Sequence, residues 1–549
     1  MRPHAAAQGW LGRVLDAFNR GLDALQARYR QLLNRLMRAK TLVISVFVAL
    51  LGVTGWVYLS VPSAFLPQED QGYFITIVQG PQGSTLDDTR QVMRQLEERY
   101  LSVPEVRATV AVGGFNLGGG STVNSGVVFT TLAPWSERSQ PSQSVGAIIG
   151  RLRGQLAQIA GANIVPVNPP AIQGLGNFGG FTFQLQDRRG NLSLDALVRN
   201  KNALLKAANQ HPKLQQVFST YAASAPQFQV EVNRSRANAL GIPISDIYST
   251  LQTYVGSRYV NDFTLARQNY RVYLQAEAQF RDEPKDLSAF YVRSRSGRMV
   301  SLDSLINTRS TSGAQTINHY NTFRTIELSG GPALGASSGE AIAAMEQLAA
   351  ETLPPGLGYE WSGLSREQIQ SAGQAPLIFG LGLAFVFLVL AAQYESYVDP
   401  AIIMLSVPLA ILGALLALWL RGIPNDVYGQ IGLVMLIGLA SKNAILIVEF
   451  ANQLRAQGRT IAQAALEAAQ QRMRPIIMTA ISTLGSILPL VVASGAGSAS
   501  RQSLGTAVFG GMLVATFLTL LVAPVMYVAV KSLAARAFGS GQAHYYGET

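Results

Sequence analysis

The chain has 549 residues, 48% of them hydrophobic and only 14% charged, a balance too apolar for an ordinary soluble protein and a length too great for one core. Its formal charge of +11 gathers beside apolar segments rather than in an aromatic-laced patch, which argues for a membrane with basic residues on its inner side and against nucleic acid. Zero cysteines exclude disulfides, thiol nucleophiles and thiolate metal sites, and His4, His211, His319 and His544 lack ligand spacing, so neither metal nor cofactor is expected.

Residues 1–40 carry Leu11, Val14, Leu15, Phe18, Leu22 and Leu25 at three- and four-residue spacing, interleaved with Arg13, Arg20 and Arg28. This pattern predicts a basic amphipathic helix on the cytoplasmic membrane surface. Residues 41–59 are apolar over a full spanning length and predict the first transmembrane helix, with the preceding arginines holding the N-terminus in the cytoplasm.

From 60 to 374 no segment is apolar enough to cross a bilayer, and short β-rich runs alternate with amphipathic ones. Residues 60–168 read as strand 73–79, helix 86–101, strands 105–112 and 126–132, helix 144–159 and strand 163–167. That β-α-β-β-α-β order is the ferredoxin-like split. A second such module is read from 169–255 (strands 181–185, 214–220 and 227–232, helix 194–209 and a helix from Ser245) and 319–374 (strand 325–328, helix 339–353, strand 358–361). Residues 256–318, with strand-like runs at 270–274 and 291–295, interrupt it as a separate small domain. Between the inner strands of the first module, the glycine-rich run 112–121 is either a mobile loop that carries Phe115 into and out of a cavity or a plain hairpin tip.

Residues 375–531 return to lipid with apolar runs near 376–392, 401–420, 430–451, 476–494 and 504–530, giving six spans in all and a cytoplasmic tail at 532–549. Arg455, Arg459, Arg472 and Arg474 are read as the cytoplasmic loop between the third and fourth of these runs. Lys442 lies near the middle of a span. A cation there costs about 2.5–3.5 kcal/mol on insertion scales, so it marks a proton path, a polar pairing or a water-lined route. Glu449 shares its helical face nearer the span end, and Thr479 adds a hydroxyl at membrane depth.

The stretch 438–450, with Tyr394-Glu395-Ser396, Asn425-Asp426-Val427-Tyr428, Arg472-Met473-Arg474-Pro475 and Gly495-Ala496-Gly497-Ser498, resembles the C-terminal half of resistance-nodulation-division (RND) drug-efflux transporters of the AcrB type. The likeness extends to 65–72 and to Tyr259-Val260-Asn261-Asp262-Phe263. It implies a proton-driven, trimeric inner-membrane pump whose periplasmic porter modules take up amphiphilic small molecules and pass them, with a periplasmic adaptor, to an outer-membrane channel. The insertion at 256–318 then corresponds to a docking-type subdomain. In that family the residues matching Lys442, Thr479 and Arg472 form a proton relay with two aspartates of the N-terminal half, and Asp399 and Asp426, at span ends here, do not replace them. The porter pocket and switch loop map to Phe115, Leu117, Phe129, Val165 and Val167, with Leu117, Val165 and Val167 standing where the family has aromatics.

Two alternatives remain open on the sequence. An RND metal exporter needs thioether ligands, and the exported region offers only the separated Met93, Met299 and Met345. A non-transporting membrane-anchored adaptor or secretion accessory has no use for Lys442. No nucleophile–base arrangement or cofactor motif suggests an enzyme.

Overall fold

The computed structural model describes residues 10–116, 121–172, 174–333 and 335–538. Contacts divide the chain into two compact units, one formed by Tyr221–Ile317 and the other by the remainder.

In the larger unit, α1 (Trp10–Arg38) leads to α2 (Lys40–Ser60), and the first sheet module follows as β1 (Tyr73–Gln79), α3 (Leu86–Leu101), β2 (Val106–Gly113), β3 (Ser125–Leu132), α4 (Val145–Leu156) and β4 (Asn163–Val167). Thr85 fixes the start of α3: its hydroxyl accepts the Asp88 amide while the Asp88 carboxylate accepts the Thr85 amide at 2.8 Å. The strands lie in the order β2-β3-β1-β4, and every neighbouring pair is antiparallel. Alternation decides the two faces of this sheet. Phe74, Val78 and Val128 pack under α3 and α4 with Leu96, Tyr100, Ile148 and Leu152, while Ile75, Ile77, Val127, Val165 and Val167 gather on the other face.

A second sheet comprises β5 (Phe181–Asp187), α5 (Leu194–Gln210), β6 (Leu214–Phe218) and, beyond the smaller unit, β13 (Asn318–Tyr320), β14 (Phe323–Pro332), α8 (Ser338–Thr352) and β15 (Leu357–Ser362). Its central order β6-β14-β5-β15 repeats that of the first sheet, with β13 added beside β14. Phe183 stacks on Tyr359 at 4.9 Å and meets Trp361 edge-on at 5.1 Å, and the Trp361 indole N–H donates to Glu346 of α8.

The smaller unit contains β7 (Ala225–Val232), α6 (Arg234–Ala239), α7 (Ile244–Tyr254), β8 (Arg258–Leu265), β9 (Gln268–Leu274), β10 (Tyr291–Arg293), β11 (Met299–Ser301) and β12 (Ile306–Gly313). Here the structure differs from the sequence reading. The unit begins at Tyr221 rather than at 256, because β7 pairs along its whole length with β12, and because Ile247 of α7 is buried in one core with Phe290, Leu302 and Leu305. The β8–β9 hairpin is exposed throughout, with Phe263 and Tyr270 stacked across it at 5.5 Å.

After α9 (Gly363–Ala372), the chain continues as α10 (Ala375–Tyr394), α11 (Val398–Met404), α12 (Val407–Leu420), α13 (Val427–Ala456), α14 (Ile461–Val491) and α15 (Ser498–Phe538). Among the described residues six stretches are long and apolar enough to cross a membrane: α2, α10, α11 with α12, α13, α14 and α15. The third is interrupted between α11 and α12, where Pro408 lacks an N–H and its ring opposes the carbonyl of Met404. Arg472 and Arg474 do not form a loop, since α14 already starts at Ile461 under a Thr460 capping box. Its first turns bury Ala464, Ala465, Ala468 and Ala469 in one cluster with Tyr29 and Leu33 of α1. Small residues allow that close approach.

Candidate functional site

Lys442 is exposed on α13, and among the described residues its ammonium makes no hydrogen bond or ion pair. By the helical rise it lies about 21 Å from the Ala456 end, with Arg472 and Thr479 about 17 and 27 Å along the antiparallel α14 from Ile461. The three therefore share a band about 10 Å deep. Ile431, Met435, Gly438 and Lys442 follow one another at helical spacing on the exposed stripe of α13, and a Cβ on Gly438 would touch nothing within 4 Å. On α14, Met478 and Ile481 are exposed and Gly485 is equally open. Lys442 thus projects from an apolar face that the described helices leave uncovered.

Thr479 and Arg472, expected beside it, are held otherwise. The Thr479 hydroxyl donates to the Ile476 carbonyl of its own helix at 3.0 Å, the local bond usual for threonine in a membrane helix. Arg472 lies over the Phe450 ring at 4.5 Å, a cation–π contact between α14 and α13. Both carboxylates at span ends are engaged elsewhere. Asp399 pairs with Lys531 at 2.8 Å, while Asp426 accepts the Gly429 amide at 2.8 Å and the Ser503 hydroxyl at 2.6 Å. Glu449 accepts from Gln453 at 3.0 Å. The Asp399–Lys531 pair and the Asp426–Ser503 bond carry no sequence signal, since each joins residues far apart in the chain.

In the first module Phe115 follows β2 directly and is 43% exposed. Gly114 turns the chain there at φ +77° and donates to the Ser125 carbonyl at 2.8 Å, while Leu117 lies outside the described residues. Phe129 is half-buried on β3, packed against the cluster of Val165, Val167 and Phe178. Val165 and Val167 are each only 9% exposed, packed with Ile75, Ile77 and Phe178. A cavity of about 590 Å³ lies elsewhere in the larger unit, between the ends of α2 and α12, the segment 64–69 and the second sheet. Phe65, Glu69, Asn168, Phe181, Gln368 and Trp419 are among its lining residues.

Asp70 fastens the base of the first module. Its carboxylate receives the buried Arg138 guanidinium through two 2.7 Å bonds and the Val145 amide at 3.0 Å. Burial by itself would raise its pKa, but Arg138 and the Val145 and Gly72 amides outweigh that and hold it below the usual carboxylate range. Since the unfolded chain then binds this proton more tightly, the stabilisation is complete above about pH 4 and disappears as the pH falls through the lowered native value. Asp70→Asn is expected to lower the melting temperature of the detergent-solubilised chain at neutral pH and to flatten its acid limb. A parallel acid limb in the variant would refute this.

Six candidate spans define a polytopic membrane protein, with a lysine half-way along one of them on an uncovered face. The sequence matches the AcrB/AcrD/AcrF family over residues 2–531, and the chain belongs to that family. It is 41% identical over 539 residues to the multidrug/solvent efflux pump membrane transporter MepB of Pseudomonas putida, covering 98% of this chain and 50% of that one. Multidrug resistance protein MdtF of Escherichia coli (strain K12) is 41% identical over 523 residues (94% and 50%), and multidrug export protein AcrF of the same strain 39% over 524 residues (95% and 50%). The chain thus spans about half the length of these relatives.

Proposed function

We propose that the chain is the C-terminal half of a proton-driven efflux pump of the bacterial inner membrane, exporting amphiphilic compounds in exchange for protons. The observation that carries this reading is Lys442, exposed at mid-span on an apolar stripe and without a carboxylate partner among the described residues. Its partners are a pair of carboxylates on the N-terminal half, whose helices cover the faces that α13 and α14 leave open. Thr479 and Arg472 complete the relay on the same band of depth. The relatives are named as multidrug and solvent efflux transporters, which supports the substrate class.

On this reading the two sheets of repeated strand order are ferredoxin-like porter modules, and the smaller unit is the docking-type subdomain. The complete pump is a trimer that meets a periplasmic adaptor and an outer-membrane channel, and the exposed aromatic β8–β9 hairpin supports such contacts. Phe115 and Leu117 are assigned to the switch loop, and Phe129, Val165 and Val167 to the porter pocket. These two valines, buried against Phe178, meet substrate only when the modules part. The exported methionines favour drugs over metal ions as cargo, for Met93 and Met345 fill cores and Met299 lies in the smaller unit.

Cells lacking the chain are expected to accumulate more ethidium, with the difference erased by a protonophore. Equal accumulation with and without the chain overturns the reading. Phe115→Ala is expected to weaken export of large amphiphiles more than small ones, since a glycine-hinged aromatic supplies apolar contact while remaining mobile. Resistance measured against compounds graded by size tests this, and equal resistance across the series would reduce Phe115 to a loop residue.

A further inference from the structure

Two adjacent carboxylates hold two different bodies. Glu69, only 8% exposed, accepts the Ser500 amide at 2.8 Å, the Ala499 amide at 3.2 Å and the Ser500 hydroxyl, all from the first turn of α15. Its backbone carbonyl accepts the Asn168 amide group at 3.0 Å, just beyond β4. Asp70, the next residue, holds Arg138 and the first amide of α4. A single peptide unit therefore joins the N-terminus of the 41-residue α15 to the helix layer of the first module. Charge-assisted bonds at both ends leave this link little slack.

The membrane side of the link continues to the helix that bears Lys442. Asp426 caps α13 and also binds Ser503 of α15, one turn below the residues that Glu69 holds. The segment leading to Glu69 is laced to the same corner, with the Val427 amide donating to the Phe65 carbonyl at 3.1 Å and the Asn425 amide to the Pro62 carbonyl at 2.9 Å. Rigid helices and hydrogen-bonded joints of this kind carry displacement between distant sites.

We propose that Glu69 and Asp70 are positioning residues forming a strut, through which displacement of α13 and α15 on protonation moves the first module. This rests on the transport reading above. On this account Glu69 lies outside the relay, and its carboxylate is taken up by the first turn of α15 although the residue borders the cavity, so its loss uncouples the two motions. A plain helix cap would instead alter stability and leave coupling unchanged.

The absence of native cysteines permits a direct test with Glu69→Cys and Ser500→Cys combined in the full chain, in cells that also supply the first six spans. Reduced, this variant is expected to export ethidium about tenfold more slowly, a loss out of proportion to any fall in melting temperature. Oxidised, the new disulfide replaces the lost joint and export recovers. Wild-type export by the reduced variant, or slow export that oxidation does not restore, overturns the strut. Glu69→Gln is the second variant, keeping an acceptor but losing the charge, and wild-type export by it likewise overturns the proposal. If the unaltered chain exports no ethidium in the same cells, the transport reading falls first and the strut with it.

Discussion

Lys442→Met is expected to abolish export, by about a hundredfold or more, the scale on which a positioned proton-transfer group matters. The chain should still fold and insert. Methionine keeps the bulk of the stem and removes a cation that costs about 2.5–3.5 kcal/mol at the centre of a membrane helix, so the bundle has no reason to weaken. Lys442 contributes nothing to the described packing either: it stands on the exposed stripe of α13, while Ala440, Ala444 and Ile447 face the buried side. A loss of export at unchanged protein level therefore reports on chemistry and not on folding. Drug accumulation in cells matched for the amount of membrane-inserted chain gives the measurement. Undiminished export by the methionine variant would remove Lys442 from the relay.

What the sequence made legible follows from how local each signal is. The six spans stand out because length and hydropathy are properties of one segment, and the strand and helix order of the first module follows from the switch between two-residue alternation and helical spacing. The limits of the smaller unit were not legible, because the pairing of β7 with β12 joins segments whose local patterns say nothing of each other. Arg472 and Arg474 read as loop because charge resembles a cytoplasmic connection. The alanines Ala464, Ala465, Ala468 and Ala469, which pack that turn of α14 into the cluster of α1, are the signal that a helix was there. Lys442 announced itself through misplacement alone. Glu69 did not: an acidic residue in a polar loop is ordinary, and its role is set by an α15 terminus some 430 residues away.

Expressed alone, the chain is expected to insert with six spans but not to transport. The reason is electrostatic before it is architectural. An ammonium at mid-depth without a carboxylate has no group with which to make and break contact as cargo passes. Coupling requires a partner whose protonation makes and breaks the attraction to Lys442, so that two conformations exchange stability when a proton binds. Asp399 and Asp426 cannot serve, because Lys531 holds the first and the Gly429 amide with Ser503 the second, both at span ends. The geometry adds that the stripe from Ile431 to Lys442 and the exposed side of α14 offer open glycines at 438 and 485, where helices of a second half can approach closely. Co-expression with a chain carrying the first six spans should restore export and make the two co-purify. In vesicles containing this chain alone, an imposed proton gradient should leave ethidium where it is. Dye movement that follows the gradient under those conditions would show that Lys442 completes its relay without a second half, and the half-transporter reading would be wrong.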